Sequence, residues 1–165
     1  MTEVLLLLGS NIHPERHIPA AKKAIRELLA SCAFSRTFVT EPVGDPDQPA
    51  FWNVAARGLT PLAIEALQRE LAELEARHGR QRDPARPCGP RTLDVDILLF
   101  GHQVGRFGAL ELPSPLLARE AFVLIPAAEV APDWLHPVLG KTLGELAVGA
   151  DGSGVSPLEA GPDGP

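Results

Sequence analysis

The strongest constraint on the fold is a run of five consecutive apolar residues at positions 4–8, which ends at Gly9. A short unbroken apolar run is typical of a strand that is covered on both faces, whereas a strand with one exposed face alternates apolar and polar residues. The chain therefore needs structure packed on both sides of its sheet. Its 165 residues are enough for one hydrophobic core and too few for two ordinary domains.

Helical and strand patterns then alternate along the chain. Apolar residues recur every three or four positions over 14–31 and again after Thr60, which is expected to cap a helix that Pro61 opens and Gly79 stops. Strand patterns follow these helices at 34–40, 51–59 and 93–100. The order strand, helix, strand, strand, helix, strand predicts an α+β fold with a ferredoxin-like βαββαβ core, an antiparallel sheet that carries both helices on one face.

The last part of the chain adds C-terminal helices to this core. Residues 114–124 suit a short helix, and Thr142 with Glu145 has the spacing of a capping box. These helices are expected to cover the other face of the sheet or its edge. From 149 to 165, eight of seventeen residues are Gly or Pro, so this segment is expected to be disordered and the folded domain to span 1–148.

Composition argues against several classes of protein. A net charge of −6 does not suit a chain whose whole surface binds nucleic acid. The two cysteines, Cys32 and Cys88, lie far apart without zinc-finger spacing, so neither a disulfide framework nor a structural zinc site is expected. The apolar run at 4–8 is too short to span a bilayer and has no basic flank or cleavage site. A cytoplasmic protein is expected.

One short stretch nevertheless concentrates positive charge. Five of the fifteen basic residues, against the single acid Asp83, are Arg77, Arg80, Arg82, Arg86 and Arg91. Guanidinium groups bind phosphate oxygens through paired hydrogen bonds, and the prolines and glycine of 84–90 keep this backbone out of helix and sheet. A mobile lid over a triphosphate and an ordinary basic surface loop both fit this stretch.

The strongest chemical signal is the sequence RTLDVDI at 91–97. Side chains two positions apart on a strand share a face, so Asp94 and Asp96 are expected on one side with Cα atoms about 7 Å apart, and Val95 and Ile97 on the other. Two such carboxylates can hold a pair of Mg²⁺ ions that bridge polyphosphate oxygens. The alternative is a solvated acidic pair, which fits less well within an apolar strand that follows an arginine loop.

Four motifs, in order, resemble those of the 6-hydroxymethyl-7,8-dihydropterin pyrophosphokinase family. They are GSN at 9–11, TEPVGDPDQPAFWN at 40–53, the arginine loop with GPRTLDVDI at 89–97, and FVLIPAAEVAP at 122–132. The resemblance implies transfer of a diphosphate group from ATP to the hydroxymethyl group of the dihydropterin, with release of AMP, in folate biosynthesis. It also implies two Mg²⁺ ions, with ATP as co-substrate.

The resemblance also implies roles on the phosphate side of a site. Asp94 and Asp96 match magnesium-binding aspartates, and Asp96 is the nearest candidate to remove the hydroxyl proton. The arginines that match phosphate contacts are Arg80, Arg82 and Arg91. Positions that match residues near the nucleotide are Glu75, Ile97 and Ser114.

On the pterin side, the resemblance implies a pocket and an aromatic sandwich. The pocket positions are Thr40, Pro42, Val43 and Asn53. Phe51 and Phe122 match two rings that stack on the pterin, and a flat heterocycle suits such a sandwich. Two phenylalanines buried in the core would be the plainer interpretation without the flanking motifs.

Three positions depart from the family pattern. Ser114 stands where a histidine is usual, Glu120 stands where a basic residue is usual, and Cys88 stands where many relatives have a tryptophan that closes over the pterin. Contacts to ATP and closure of the loop are therefore expected to differ in detail. Arg119, beside Glu120, is a candidate to supply the missing positive charge.

Two other functions stay open. A homologue that binds pterin and nucleotide with weakened turnover would fit the changes at Ser114 and Glu120. An RNA-binding ferredoxin-like module fits less well, because its sheet would need exposed aromatic residues and this chain has no Tyr and 5% aromatic residues. The main expectation is a monomer that acts on small molecules and has no nucleic-acid or membrane partner.

Overall fold

The described part of the chain, residues 1–79 and 84–158 of a computed structural model, forms an antiparallel sheet with helices on both faces. Its strands are β1 (Thr2–Ser10), β2 (Ser31–Phe34), β3 (Phe38–Thr40), β4 (Phe51–Thr60), β5 (Asp94–Phe100), β6 (Gly105–Phe107), β7 (Leu110–Leu112) and β8 (Val155–Pro157). Its helices are α1 (Pro14–Leu28), α2 (Ile64–Arg77), α3 (Leu116–Arg119), α4 (Ala121–Val130) and α5 (Leu143–Val148).

The strand order confirms the predicted ferredoxin-like core. The sheet runs β5, β1, β4, β3, β8, with β2 also paired to β4 and every pair antiparallel. In place of the one strand predicted at 34–40, the structure has β2 at Ser31–Phe34 and β3 at Phe38–Thr40, with a break at Ser35 that alters the pairing. The Ser35 hydroxyl accepts a hydrogen bond from the Ala55 N–H at 2.9 Å, and the Ser35 N–H donates to the Ala55 carbonyl at 2.9 Å.

The two faces of β1 pack against different helical layers, as the apolar run predicts. Val4, Leu6 and Leu8 are fully buried in a cluster with α1 and α2. Leu5 and Leu7 are buried in a second cluster with α3, α4 and α5. The C-terminal helices therefore cover the other face of the sheet rather than only its edge.

Helix ends differ from the sequence expectation in two places. Ala63, not Thr60, is the N-cap of α2, and the Thr60 hydroxyl accepts instead from the Leu62 N–H at 3.1 Å. The helix predicted at 114–124 is divided into α3 and α4 because Glu120 has an extended backbone. The capping box of Thr142 and Glu145 at the start of α5 is confirmed.

The C-terminal segment corrects a further prediction. The segment expected to be disordered contains the strand β8 at Val155–Pro157, which pairs with β3. This segment has few apolar side chains to bury in a core. Its backbone hydrogen bonds to β3 stabilise it instead. Residues 159–165 lie outside the described residues, and the domain span of 1–148 stays a prediction. No helix within 1–79 or 84–158 is long and apolar enough to cross a membrane.

Candidate active site

The two aspartates of β5 lie at one end of a cavity on the sheet face covered by α3 and α4. Both are half-buried, and both line the cavity, whereas Val95 and Ile97 point to the opposite face and pack in the core with α1 and α2. The pleat of a regular strand explains this division. The arrangement places two carboxylates side by side at the cavity.

Gly9 lies between the acidic pair and a polar residue of β4. In the register of the sheet, Gly9 pairs with Asp94 on one side and with Asn53 on the other, so the two side chains flank one strand, with their Cα atoms about 10 Å apart. A Cβ atom at Gly9 would lie 2.8 Å from the Asn53 Oδ1. A side chain at this position would displace the Asn53 amide, which occupies the space above Gly9.

A cavity of about 190 Å³ joins residues from both sides of the predicted site. Eight of the predicted residues line it, namely Thr40, Val43, Phe51, Asn53, Arg91, Asp94, Asp96 and Phe122. Six further residues, which were not predicted as ligand contacts, complete its walls: Leu7, Gly9, Glu41, Cys88, Leu116 and Glu120.

The ring side of the cavity combines three separate parts of the chain. Thr40 ends β3, Phe51 begins β4 opposite it, and Phe122 lies in the first turn of α4. The buried Asn53 amide donates to the Thr40 hydroxyl at 2.8 Å, which fixes the direction of the amide group. Two half-buried phenylalanines and an oriented amide suit a flat heterocycle with hydrogen-bonding edges.

A hydrogen-bond network around Asn11 connects two loops beside the cavity, the loop of residues 41–50 between β3 and β4 and the segment 84–93 that leads into β5. The buried Asn11 side chain accepts from the Arg91 N–H at 2.8 Å and donates to the Gln48 Oε1 at 2.9 Å and the Pro49 carbonyl at 3.0 Å. Gln48 in turn donates to the Cys88 carbonyl at 2.7 Å. Asn11 directly follows β1, and this position is the sequence signal that its side chain faces the ends of the neighbouring strands.

An ion pair joins the same two loops at the surface. The Arg86 Nε donates to the Asp45 carboxylate at 2.7 Å, and its Nη2 donates to the Asp47 carbonyl at 2.9 Å. The hydrogen bond from Arg86 holds the pKa of Asp45 below its usual value. Arg86, which the sequence grouped with phosphate-binding candidates, therefore makes a contact between loops.

Several predicted residues lie away from this cavity. Pro42 lines a neighbouring cavity of about 480 Å³, and the buried Ser114 lies below the β6–β7 hairpin, where its hydroxyl accepts from the Leu116 N–H at 3.3 Å. The Glu75 carboxylate accepts from the Val95 N–H at 2.8 Å, on the α2 side of the sheet. Ile97 is 5% exposed and packs in the core. Arg80 and Arg82 lie outside the described residues.

The positions that depart from the family pattern differ in their placement. Glu120 and Cys88 line the cavity, whereas the exposed Arg119 lines the neighbouring one and donates to the Pro115 carbonyl at 3.4 Å. The Arg91 guanidinium lies at the cavity with its Nη2 donating to the Pro87 carbonyl at 2.6 Å. Of the three arginines predicted to contact phosphate, Arg91 is the one within the described residues, and it lines the cavity.

The donor set of the acidic pair fits Mg²⁺. This ion is usually held by one or two carboxylates, with substrate phosphates and water as the other ligands. Asp94 and Asp96 supply two carboxylates at an open cavity. Across the ranges that the structure covers, no group of three or more His, Cys, Asp or Glu is placed to hold a metal ion.

Two histidines meet near the start of the arginine loop. The His17 Nδ1 on α1 lies 2.7 Å from the Nδ1 of His78, which follows the last residue of α2. Burial lowers the pKa of both rings, and nearby positive groups lower it further. The pair therefore connects α1 to the C-terminal end of α2.

Sequence comparison identifies the family. Residues 5–132 match the model of 7,8-dihydro-6-hydroxymethylpterin-pyrophosphokinase (HPPK). The 2-amino-4-hydroxy-6-hydroxymethyldihydropteridine pyrophosphokinase of Pseudomonas aeruginosa is 39% identical over 94% of this chain and 96% of its own length. That of Methylorubrum extorquens is 37% identical over 96% of this chain and 100% of its own length. This chain belongs to the HPPK family. The predicted family and enzyme class, a pyrophosphokinase of folate biosynthesis, are confirmed.

Solved structures agree on the fold. A crystal structure of Plasmodium falciparum HPPK-DHPS aligns with 90% of this chain at a TM-score of 0.68 and 13% identity. The chain spans 43% of the length of that protein. At this identity the likeness concerns the fold alone, and it confirms the predicted arrangement of helices and antiparallel sheet.

Proposed function

We propose that this HPPK-family chain transfers the β,γ-diphosphate of ATP to the hydroxymethyl oxygen of 6-hydroxymethyl-7,8-dihydropterin and releases AMP. The observation that carries the proposal is a single cavity lined by Asp94 and Asp96 on the β5 side of β1, its acidic end, and by Phe51 of β4 and Phe122 of α4, its ring end. Such a cavity suits a polyphosphate next to a flat ring, which are the two reacting parts of these substrates.

The ring end would bind the pterin. Phe51 and Phe122 offer apolar faces to a bicyclic ring, and stacking contributes free energy beyond the burial of area. The amide nitrogen of Asn53 donates to the Thr40 hydroxyl at 2.8 Å, and this hydrogen bond directs the amide oxygen toward the cavity. An oriented amide distinguishes a ring edge that carries matching donors and acceptors, since an unmatched edge would leave buried polar groups unpaired.

The acidic end would hold the triphosphate. Asp94 and Asp96 are the residues that would bind Mg²⁺, and bound Mg²⁺ supplies neutralisation of phosphate charge. Arg91 lies at the same end and would attract phosphate oxygens through its guanidinium. The proposal also includes a second Mg²⁺ ion and phosphate contacts from Arg80 and Arg82, and these parts of it rest on the sequence alone.

The chemical step would be an in-line displacement. The hydroxymethyl oxygen forms a bond to the β-phosphorus, while the bond from that phosphorus to the oxygen of the α-phosphate breaks, and AMP leaves with the electron pair. The hydroxyl proton goes to Asp96 or to solvent. Positioning of the two substrates by the cavity walls supplies most of the rate enhancement, because little covalent chemistry is needed from side chains.

Release of AMP from ATP tests the proposal directly. The reaction should produce AMP and a diphosphorylated pterin in equal amounts, only when Mg²⁺ and the hydroxymethyl pterin are both present. Binding of both substrates without AMP release would favour the weakened homologue instead. Salt-sensitive binding of RNA, with no effect of pterin, would favour the RNA-binding module.

The arginine loop requires a separate test. Replacing Arg80 and Arg82 together by Ala should slow the chemical step and leave the fold intact, as single-turnover kinetics and circular dichroism would measure. An unchanged rate would remove these residues from the proposal. A monomeric state and a cytoplasmic location also stay predictions from the sequence.

A further inference from the structure

We propose that the C-terminal strand β8 positions the pterin-binding end of the cavity, an inference that rests on the function proposed above. The strand lies at the edge of the sheet and pairs antiparallel with β3, with Val155 opposite Thr40 and Pro157 opposite Phe38. β3 therefore lies between β4 and β8. It carries Thr40, the residue that orients the Asn53 amide.

The attachment of β8 extends past both ends of β3. The Glu41 N–H donates to the Gly154 carbonyl at 3.1 Å, and the Leu158 N–H donates to the Thr37 carbonyl at 2.8 Å. A strand of three residues has few ladder hydrogen bonds of its own, and one pairing partner leaves its other edge open to water. β8 thus adds backbone hydrogen bonds at the point where the chain leaves β3 for the loop of residues 41–50, here called the pterin loop because it carries the predicted pterin-pocket positions Pro42 and Val43.

The same segment forms a wall behind the pterin loop. A cavity of about 480 Å³ lies between residues 149–155 and the start of that loop, and it is next to the cavity that holds the aspartates. Thr40, Glu41 and Val43 line both cavities, as do Glu120 and Phe122, so the start of this loop borders both the larger cavity and the cavity that holds the aspartates. Without β8, β3 and the start of this loop would lose their outer pairing partner and could move away from the ring.

The turn into β8 depends on one glycine. Gly154 has a φ of +78°, a backbone conformation that side chains with branched Cβ atoms avoid. A Cβ there would also lie 3.2 Å from the Glu41 carboxylate. Gly154→Val should therefore disturb the turn and loosen the pairing of β8 with β3. Gly108, at φ +68° in the turn between β6 and β7, has no neighbouring atom within 4 Å and provides a matched control.

The test compares three lengths of the chain: full length, ending at Leu158, and ending at Ala150. We expect the form ending at Ala150 to have a KM for the hydroxymethyl pterin about tenfold higher, since net hydrogen-bond contributions of this size are typical, with the KM for ATP within about twofold. The form ending at Leu158 retains β8 and should behave as the full chain. Gly154→Val should shift the pterin KM in the same direction, and Gly108→Val should not.

Each result has a separate meaning. Absence of pterin-dependent AMP release by the full chain would contradict the proposed function itself. Normal release by the full chain, with an unchanged pterin KM after both truncation to Ala150 and Gly154→Val, would overturn the role of β8. Equal changes in both KM values together with a lower Tm would also overturn it, because they would indicate general loss of structure. A pterin-selective change at a preserved Tm in Gly154→Val supports the role even where the truncated form unfolds.

Discussion

The two ends of the cavity differ in how far apart their residues lie along the chain. At the acidic end, Arg91, Asp94 and Asp96 come from one short segment that leads into β5. At the ring end, Thr40 and Phe122 come from β3 and α4, which belong to different layers. The acidic end therefore depends on the pleat of one strand, and the ring end depends on how a helix docks on a sheet.

The two ends should therefore respond to different kinds of substitution. The edge strand β5, paired with β1 through most of its length, holds the two carboxylates through the local geometry of one strand. A pocket between a strand end and a helix start changes whenever either element shifts. Substitutions at the acidic end should therefore act through charge, and substitutions at the ring end through placement and contact area.

The largest effect should follow from removing either carboxylate. Asp94→Ala or Asp96→Ala should lower turnover by about 10³-fold, because each would remove a group that holds charge in place at the transferring phosphate. Pterin binding should change little. Single-turnover AMP release and pterin binding by fluorescence would measure the two quantities.

Glu70→Gln, an exposed carboxylate of α2, is the control for this pair. It should leave turnover unchanged. Near-normal rates in either aspartate variant would remove the carboxylates from the mechanism and with them the contrast between the two ends.

The second largest effect should follow from removing one of the two phenylalanine rings at the cavity. Phe122→Ala or Phe51→Ala should raise the KM for the pterin by about 10- to 100-fold through lost stacking and buried area, with a small change in the KM for ATP. Phe34→Ala is the matched control, since Phe34 lies against Lys22 and Arg26 rather than at the cavity. Steady-state kinetics with each substrate varied in turn would separate the effects, and a selective rise in the KM for ATP would contradict the assignment of the ring end.

A smaller change in the kinetics of both substrates should follow from loss of the Asn11 side chain. Asn11→Ala removes the hydrogen bonds that join Arg91 to Gln48 and Pro49, so about tenfold lower kcat/KM for both substrates is expected. Gln68→Ala, which loses a 3.4 Å hydrogen bond to Phe107 on the α2 side, is the control. If Asn11→Ala changed only one substrate's kinetics, the two ends would be independent.

The smallest effect concerns pH. The pKa values of His17 and His78 are lowered in the folded state, so the unfolded chain binds more protons near and below pH 6.5, and the free energy of unfolding falls as pH falls through that range. Partial exposure keeps the effect below about 1 kcal/mol. His17→Gln with His78→Gln should flatten the dependence.

Urea unfolding at pH 7.5 and 5.5 measures this difference. His102→Gln, at an exposed histidine, should leave the slope as it is in the parent chain. An equal slope in the double variant would show that the pair does not contribute to the pH dependence.

The sequence predicted what depends on local periodicity. The pattern at 91–97 indicated the shared face of Asp94 and Asp96, and the apolar run at 4–8 indicated helices on both sides of the sheet. It did not predict the position of Ser114 away from the cavity, because that position depends on where α3 packs. The same applies to the contact of Arg86 with Asp45, which requires two loops to meet.

The order of strands and helices, the acidic pair and the family were thus determined by the sequence alone, because strand and helix periods are short-range properties and motifs keep their spacing. The tertiary structure decided that Gly9 lies under the Asn53 amide, that Asn11 joins two loops, and that residues 155–157 form an edge strand. These features depend on contacts between segments distant along the chain. No local pattern carries that information, since pairing partners are chosen only when the layers pack.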